Sequence, residues 1–524
     1  MKTRSFLLSA LAALMLAGCS EDAREDEIPG NVLVGKAYLS LSLQSRTSTL
    51  TRADIKTENG SAEESAVSDV TVLLFDEDEV CLDVVDFTGV KVGNSDGGTS
   101  PIAEASDAKL VPEKTAKVFV VLNSAKWTFT KEAVVGKAWS TINTAIDAVI
   151  GDVATASKFM MASAGTKDKG ALTPVTVHKP TTYTAEDVQK AKDEAKAAPA
   201  AINVDRLSAK VQVSVKNPGF TQPAGSNFTF NGWELSVTNK SVRLYSDLVT
   251  YDNATTGAVY RRDKNYLESE QPDITSNKEE NMDKAFNYLK NIDDVSKDMP
   301  AVAQTDKASL YCLENTMEAK AQQLGFTTKV VVKAQYTPDG IAKDASYFSW
   351  KGAYYTLAQL KAEYLKHSDG TGLKVDLPAF LIKAGIMTQA EFDEGQNKRD
   401  EIVANLSDDV TAGNLNAKTG IIGRFCAVRY YHASVCYYDV LIHHDQNITT
   451  KMALGRYGVV RNNWYNIELN SVSGPGTPWI PDPSDPDPTN PTPPDTDDDE
   501  ADAYLSVQIT INPWTYWTQG VDLH

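Results

Sequence analysis

At 524 residues the chain is too long for one ordinary hydrophobic core, so two domains with additional segments are expected. Its composition, 42% hydrophobic and 23% charged residues, is that of a globular protein able to bury a sizeable core. The formal net charge of −19 argues against nucleic acid as a partner, because binding by counterion release needs a basic face.

At the N-terminus Lys2 and Arg4 precede the apolar run FLLSALAALMLAG (6–18), too short to span a bilayer comfortably and read as an export signal. The run ends in Leu16-Ala17-Gly18-Cys19, which resembles a bacterial lipobox, whose cysteine is lipidated and becomes the new N-terminus after signal cleavage. A plain secretory signal with a chance cysteine is the alternative. The position of Cys19 at the end of the run, with acidic SEDAREDE after it, favours the lipobox. No later stretch is long and apolar enough for a membrane helix.

Next comes AYLSLSL (37–43), a strand pattern with Leu39, Leu41 and Leu43 on one face and Ser40 and Ser42 between them. It is followed by QSRTSTLTRADIK (44–56), a polar segment whose Arg46 and Arg52 suit a trypsin-like cut. Such a cut would remove the anchor at Cys19 and the strand together.

Period-two and β-branched runs then dominate: 67–76, 116–123, 207–216, 228–238, 328–337, 435–444 and 463–472. Separated by turn-rich stretches, they predict β-sandwich domains. The acidic DEDE at 76–79 follows a strand and reads as a solvated turn, without the spacing of a calcium loop. Thr184 opens a mostly polar helix, with Asp187 at the capping-box offset and Pro199 as a stop. The following run from Ala201 looks like the opening strand of a second domain, and 355–367 reads as a helix inserted within it.

Cys81, Cys312, Cys426 and Cys436 follow Cys19; none has CxxC spacing, and Cys426 and Cys436 lie in β-like runs as small apolar residues. The chain has six histidines, of which His443 and His444 are neighbours at a strand end. There they point to opposite faces, a poor chelate, and read as ordinary surface residues. Dense aromatic clusters at 347–356 and 429–438 read as core and cross-strand pairs; a sugar-binding platform is the competing reading. With no phosphate loop, H-E-x-x-H or G-x-S-x-G, neither catalysis, metal nor cofactor is expected.

From Gly474 to Asp502 there are nine prolines and nine acidic residues and no Lys or Arg, the composition of an extended linker. The residues 481–502 could reach roughly 70 Å in polyproline form. They lead to a second copy of the opening phrase, AYLSVQITI (503–511), with Leu505, Val507, Ile509 and Ile511 on one face until Pro513 interrupts regular pairing. The tail is expected to hang free until a partner's sheet edge receives it.

These features together resemble the fimbrillins, major fimbrial subunits of Bacteroidetes type V pili, in their short-fimbria branch. The residues carrying the resemblance are the lipobox, AYLSLSL followed by TRA, KVFVVLNSA (117–125), FMMASAG (159–165), VDRLSAKV (204–211), VVRNNWYNIELNSV (459–472), the Asp-Pro linker and the tail YLSVQITINPWTYWTQGVDL. The stretch 250–420 is divergent. The resemblance implies a mainly β protein of two transthyretin-like β-sandwich domains with helical insertions, exported as a lipoprotein and cut by an arginine-specific protease. The cut bond would be Arg52-Ala53, with Arg46 the alternative. Polymerisation by donor-strand exchange would follow, the C-terminal strand of one copy filling the groove of the next.

The expected organisation is therefore a signal with lipobox (1–19), a propeptide (20–52) carrying the removable strand (37–43), an N-terminal sandwich (53–200), a C-terminal sandwich (201–473), the linker (474–502) and a donor strand (503–524). Because both the removable strand and the donor tail are present, the resemblance implies a stalk subunit of a surface fimbria rather than a tip or anchor pilin. Its expected partners are copies of itself, accessory anchor and tip pilins, the protease, and the outer membrane through the lipid before cleavage. The alternative is a monomeric surface lipoprotein that binds glycan or protein, which would need neither the arginine segment nor the tail.

Overall fold

The computed structural model describes residues 33–45, 58–408 and 426–483, apart from 95–104, 125–128, 251–258, 268–270, 291–304 and a few shorter stretches, together with the backbone of 505–515. Cys19, Arg46, Arg52 and Ala53 lie outside the described residues. The protein is mainly β, and every β-like run read from the sequence falls on a strand.

The N-terminal half carries β1 (Lys36–Leu39), β2 (Leu41–Ser45), β3 (Glu58–Asn59), β4 (Val70–Phe75), β5 (Cys81–Phe87), β6 (Val92–Asn94), β7 (Lys109–Pro112), β8 (Lys117–Leu122), β9 (Met161–Ser163) and β10 (Ala200–Arg206). Its main sheet has the order β5-β4-β8-β9-β10-β2-β6. The sheet is covered on both faces. Leu73, Phe75, Phe119 and Val121 pack into one cluster with Trp139 and Leu244, while Val72, Leu74, Val118 and Val120 pack into another with Leu41, Leu43 and Ile202. Burial on both faces explains why VTVLLF and KVFVVL are unbroken apolar runs rather than alternating ones.

Helix α1 (Ala185–Ala197) follows the expected start, with the Thr184 side chain accepting the Asp187 N–H at 3.2 Å. The Asp187 carboxylate accepts the Thr182 N–H instead of closing the box. The helix is not wholly exposed, since Ala191 and Ala195 pack on Tyr38 of β1.

The second half is a two-sheet sandwich. One sheet joins β11 (Ser208–Val215), β13 (Ser309–Leu313), β19 (Asn463–Val472) and β20 (Leu505–Thr515) in the order β13-β11-β19-β20-β3. The other has the order β12-β14-β18, formed by β12 (Asn227–Ser236), β14 (Lys329–Thr337) and β18 (Val435–Leu441). Val211, Val213, Ile467 and Leu469 of the first meet Trp233, Val330, Val332 and Cys436 of the second. Between β14 and β18 the chain makes a lobe with its own core, built on β15 (Tyr347–Trp350), β16 (Ala353–Tyr355), β17 (Val428–Tyr431) and the helices α2 (Leu357–Tyr364), α3 (Leu373–Lys383), α4 (Gln389–Asp393) and α5 (Gln396–Asn405). A complete capping box between Thr356 and Gln359 starts α2, the inserted helix expected near 355–367.

Five local expectations change. The boundary expected at 200/201 falls inside a strand pairing: β10 completes the first sheet and the chain crosses to the second only at buried Leu207. The sequence from 200 to 215 reads as one β run, and only its hydrogen-bonding partners divide it. The linker does not begin at Gly474, because Thr477 bridges Tyr437, Trp479 and Ile480 are buried, and the Tyr438 hydroxyl donates to the Gly474 carbonyl at 2.9 Å. The tail does not hang free; β20 lies antiparallel along β19 of its own chain. Nor does Pro513 stop that pairing, since β20 runs past it opposite Asn463, as an edge strand allows. Finally, His444 is buried rather than on the surface, its Nδ1 2.8 Å from the Tyr465 hydroxyl. Cys81, Cys312, Cys426 and Cys436 are all buried. The dense aromatic runs are largely core, with Tyr347 stacked on Tyr431 at 4.6 Å.

Candidate assembly site

The opening phrase is built into the N-terminal core as two strands that turn a corner at Ser40. β1 pairs antiparallel with β7, whereas β2 lies between β10 and β6, parallel to both. Leu39, Leu41 and Leu43 are 1%, 0% and 0% exposed. The serines between them are buried as well, and Ser106 serves the corner: the Ser40 hydroxyl donates to the Ser106 carbonyl at 2.7 Å, and the Leu41 N–H donates to the Ser106 hydroxyl at 2.9 Å. A residue 65 positions away thus satisfies the corner, which no reading of 37–43 alone could show.

The closing phrase occupies a different place. Leu505, Val507, Ile509 and Ile511 stand opposite Val472, Leu469, Ile467 and Tyr465, four buried residues of β19. The outer edge of β20 meets β3 only at Trp514 and Thr515 among the described residues. The two similar phrases therefore sit in two sheets, one internal and one at an edge.

Between these sheets lies a buried polar junction that sequence reasoning did not single out as a site, although two of its segments, VDRLSAKV and VVRNNWY, carry the family resemblance. Arg461 donates from Nε and Nη2 to the two oxygens of Glu314 at 3.1 and 3.0 Å and from Nη1 to the Leu244 carbonyl at 2.9 Å. Burial acts to raise the Glu314 pKa, but Arg461 and Arg261 outweigh it and hold the carboxyl below its ordinary value. Arg261 pairs with Asp205, which also accepts from the Asn462 amide at 3.1 Å. Arg206 donates to the Glu64 carbonyl at 3.0 Å and to Asn462 Oδ1 at 3.2 Å. The Glu64 carboxylate in turn meets Lys210 at 2.8 Å and the Tyr311 hydroxyl at 2.5 Å, and Lys210 lies 3.7 Å from the centre of the Trp464 ring. Burial opposes ionisation of Glu64, while Lys210 and Tyr311 more than compensate and lower its pKa.

Glu64 lies twelve residues after Arg52, so the junction anchors the chain just beyond the expected cut. The available signal was the run of charged and amide residues inside β patterns, at 205–206 and 461–463, where buried ion pairs are costly unless fully partnered. Among the described residues no group of His, Cys, Asp or Glu is arranged to hold a metal ion, and no helix is long and apolar enough to cross a membrane.

Comparison with known proteins gives one family match and several distant structural likenesses. Residues 429–520 match the family described as major fimbrial subunit protein type IV, fimbrillin, C-terminal. No curated protein matches the chain. A candidate cell adhesion protein from Parabacteroides distasonis is 12% identical at a TM-score of 0.42, covering 93% of this chain and 99% of its own. A second from the same organism is 15% identical at 0.41, covering 92% and 100%. The tip fimbrial protein Mfa3 from Porphyromonas gingivalis, with C-terminal truncation, is 12% identical at 0.34, covering 91% and 100%. Scores this low mark distant likenesses, and the assignment rests on the family match. From β17 to the tail strand, the C-terminal part of this chain matches the model of the fimbrillin family of major fimbrial subunits.

Proposed function

We propose that the protein is the stalk subunit of a cell-surface fimbria: exported as a lipoprotein through Cys19, cut after Arg52, with Arg46 as the alternative, and polymerised by donor-strand exchange. The observation that carries this reading is the place of β2. It precedes both arginines, yet it is an interior strand whose neighbours β10 and β6 both lie beyond them. Withdrawing β1 and β2 would uncover the apolar floor formed by Ile202, Val204, Val120 and Val72 and leave two open rows of backbone donors and acceptors. Burial of each leucine is worth roughly 1.5–3 kcal/mol, so the vacated groove has a strong demand for a replacement strand with the same alternation. The segment 503–511 has that alternation. Its edge position on β19, behind a Pro/Asp-rich tether, suits transfer to another copy, where its apolar face would replace that of Leu39, Leu41 and Leu43.

On this reading the precursor is held at the outer membrane by its lipid, and cutting frees it and opens the groove in one step. Arg52→Ala should leave the protein at unprocessed length and unpolymerised, by blotting and electron microscopy. Normal fibres from that variant would move the site to Arg46. Normal fibres from the Arg46/Arg52 double variant would overturn the mechanism while leaving the family assignment intact.

A further inference from the structure

We propose that the exchanged strand is held in a single register by the polar corner at Ser106, with Ser506 of the donor copy taking the place of Ser40. This rests on the exchange reading above and adds to it the residues that choose the register. Alternation fixes which face of an incoming strand turns inward, because a slip of one residue turns that face out, but a slip of two keeps it. The groove has Leu39, Leu41 and Leu43 to replace, and the tail offers Leu505, Val507, Ile509 and Ile511. Two registers therefore fill every apolar position: Leu505, Val507 and Ile509, or Val507, Ile509 and Ile511. Apolar burial alone does not separate them.

The corner does. The first register sets Ser506 at the position of Ser40, and the second sets Gln508 there. Ser40 is 1% exposed and Ser106 3%. Besides accepting the Ser40 hydroxyl on its carbonyl, Ser106 donates its N–H to the Leu41 carbonyl at 2.8 Å, and its hydroxyl accepts the Leu41 N–H while donating to the Asp107 carbonyl at 3.0 Å. One residue thus serves both backbone groups of position 41 and the hydroxyl of position 40, where the chain leaves the ladder of β7 for that of β10. A serine at that place reproduces every bond. Gln508 would have to fit a longer side chain into a space closed around a hydroxymethyl group, and its amide would need partners that the corner does not supply. In the first register Gln508 falls instead at Ser42, the more open of the two positions at 7%.

Pro513 acts in the same direction from the other end. The first register carries it to the position of Thr47, beyond the last pair of β2. The second sets it at Ser45, which pairs with Val204 on one side and with Asn94 on the other. Proline has no N–H to donate and is excluded from strands paired on both sides. The residue before the apolar face agrees as well: Tyr504 precedes Leu505 as Tyr38 precedes Leu39, and Tyr38 is buried against Ala108, Ala191 and Ala195. The groove is therefore selective for a strand with a small hydroxyl residue directly after its first apolar residue and with its proline kept beyond the paired stretch. The tail of a second copy of this chain meets both conditions.

The test is disulfide trapping in assembled fibres. Ile202 stands opposite Leu43, so it faces Ile509 of the donor copy in the first register and Ile511 in the second. Fibres carrying Ile202→Cys with Ile509→Cys should run as a ladder of covalent multimers on a non-reducing denaturing gel, since opposite residues lie within disulfide reach. Ile202→Cys with Ile511→Cys should give none. The reverse pattern would overturn the register and leave strand exchange standing, whereas normal fibres that give no ladder with either pair would sink the exchange reading and the register together. To isolate the serine, Pro513→Ala is added to both pairs, and the ladder should stay with Ile509→Cys. Swapping the polar residues in that background, by Ser506→Gln with Gln508→Ser, should then move the ladder to the Ile511→Cys pair. A ladder that remains with Ile509→Cys after the swap would show that Ser506 does not set the register.

Discussion

Leu41→Ala separates the precursor from the assembled fibre, because the two should respond differently to the same substitution. Leu41 is fully buried among Val72, Val120 and Ile202, and truncating such a leucine to alanine costs about 2–5 kcal/mol from lost transfer energy and the cavity left behind. For a domain of this size that corresponds to a fall in melting temperature of roughly 4–20 °C. The uncut precursor should show the fall by circular dichroism or calorimetry. If the 37–43 strand leaves on cleavage, fibres grown from the variant should melt like wild-type fibres, since Leu41 is no longer in them. Ile202→Ala is the control: Ile202 stands opposite Leu43 on β10, which stays, so precursor and fibre should both weaken. Fibres from Leu41→Ala that are destabilised as much as the precursor would show that the strand is retained, and the removable-strand reasoning would fail.

Two further outcomes follow from the junction. Arg461→Ala leaves Glu314 buried without its main partner and should cost about 3–5 kcal/mol in urea unfolding of the precursor, the range for breaking a buried ion pair on one side; a loss below 1 kcal/mol would mean that the junction does not hold the halves together. Glu64 has a folded pKa below its ordinary 4.5, so its contribution is present above that value and is lost as the pH falls through the folded pKa. Stability of the natural protein should therefore drop as the pH is lowered below about 4.5, and Glu64→Gln should lower stability near neutral pH while flattening that acid limb; an unchanged acid limb would refute the assignment.

Much of the architecture was legible because strand patterning is local. The period-two and β-branched runs at 67–76, 116–123 and 463–472 each fall on a strand; that the first two are buried on both faces came only from packing. The α1 start was legible from Thr184, since a cap is chemistry within four residues. The functional reading of the termini was likewise carried by short-range features: alternation in the two phrases, arginines after the first, prolines before the second.

Pairing, by contrast, was not in the sequence as a pattern. That 200–206 joins one sheet and 208–215 another, that Ser106 completes the corner at Ser40, and that the tail strand lies on β19 all depend on which distant segment comes alongside. The same holds for Glu64, Arg206, Glu314 and Arg461, which look like scattered surface charges until the fold brings residues up to some 250 positions apart into hydrogen-bond contact. The sequence alone determined where strands and caps form, because backbone preference and side-chain alternation act over a few residues. Only the tertiary structure decided partners, burial of charge and the meeting of Ser40 with Ser106, because those depend on long-range packing that no local pattern encodes.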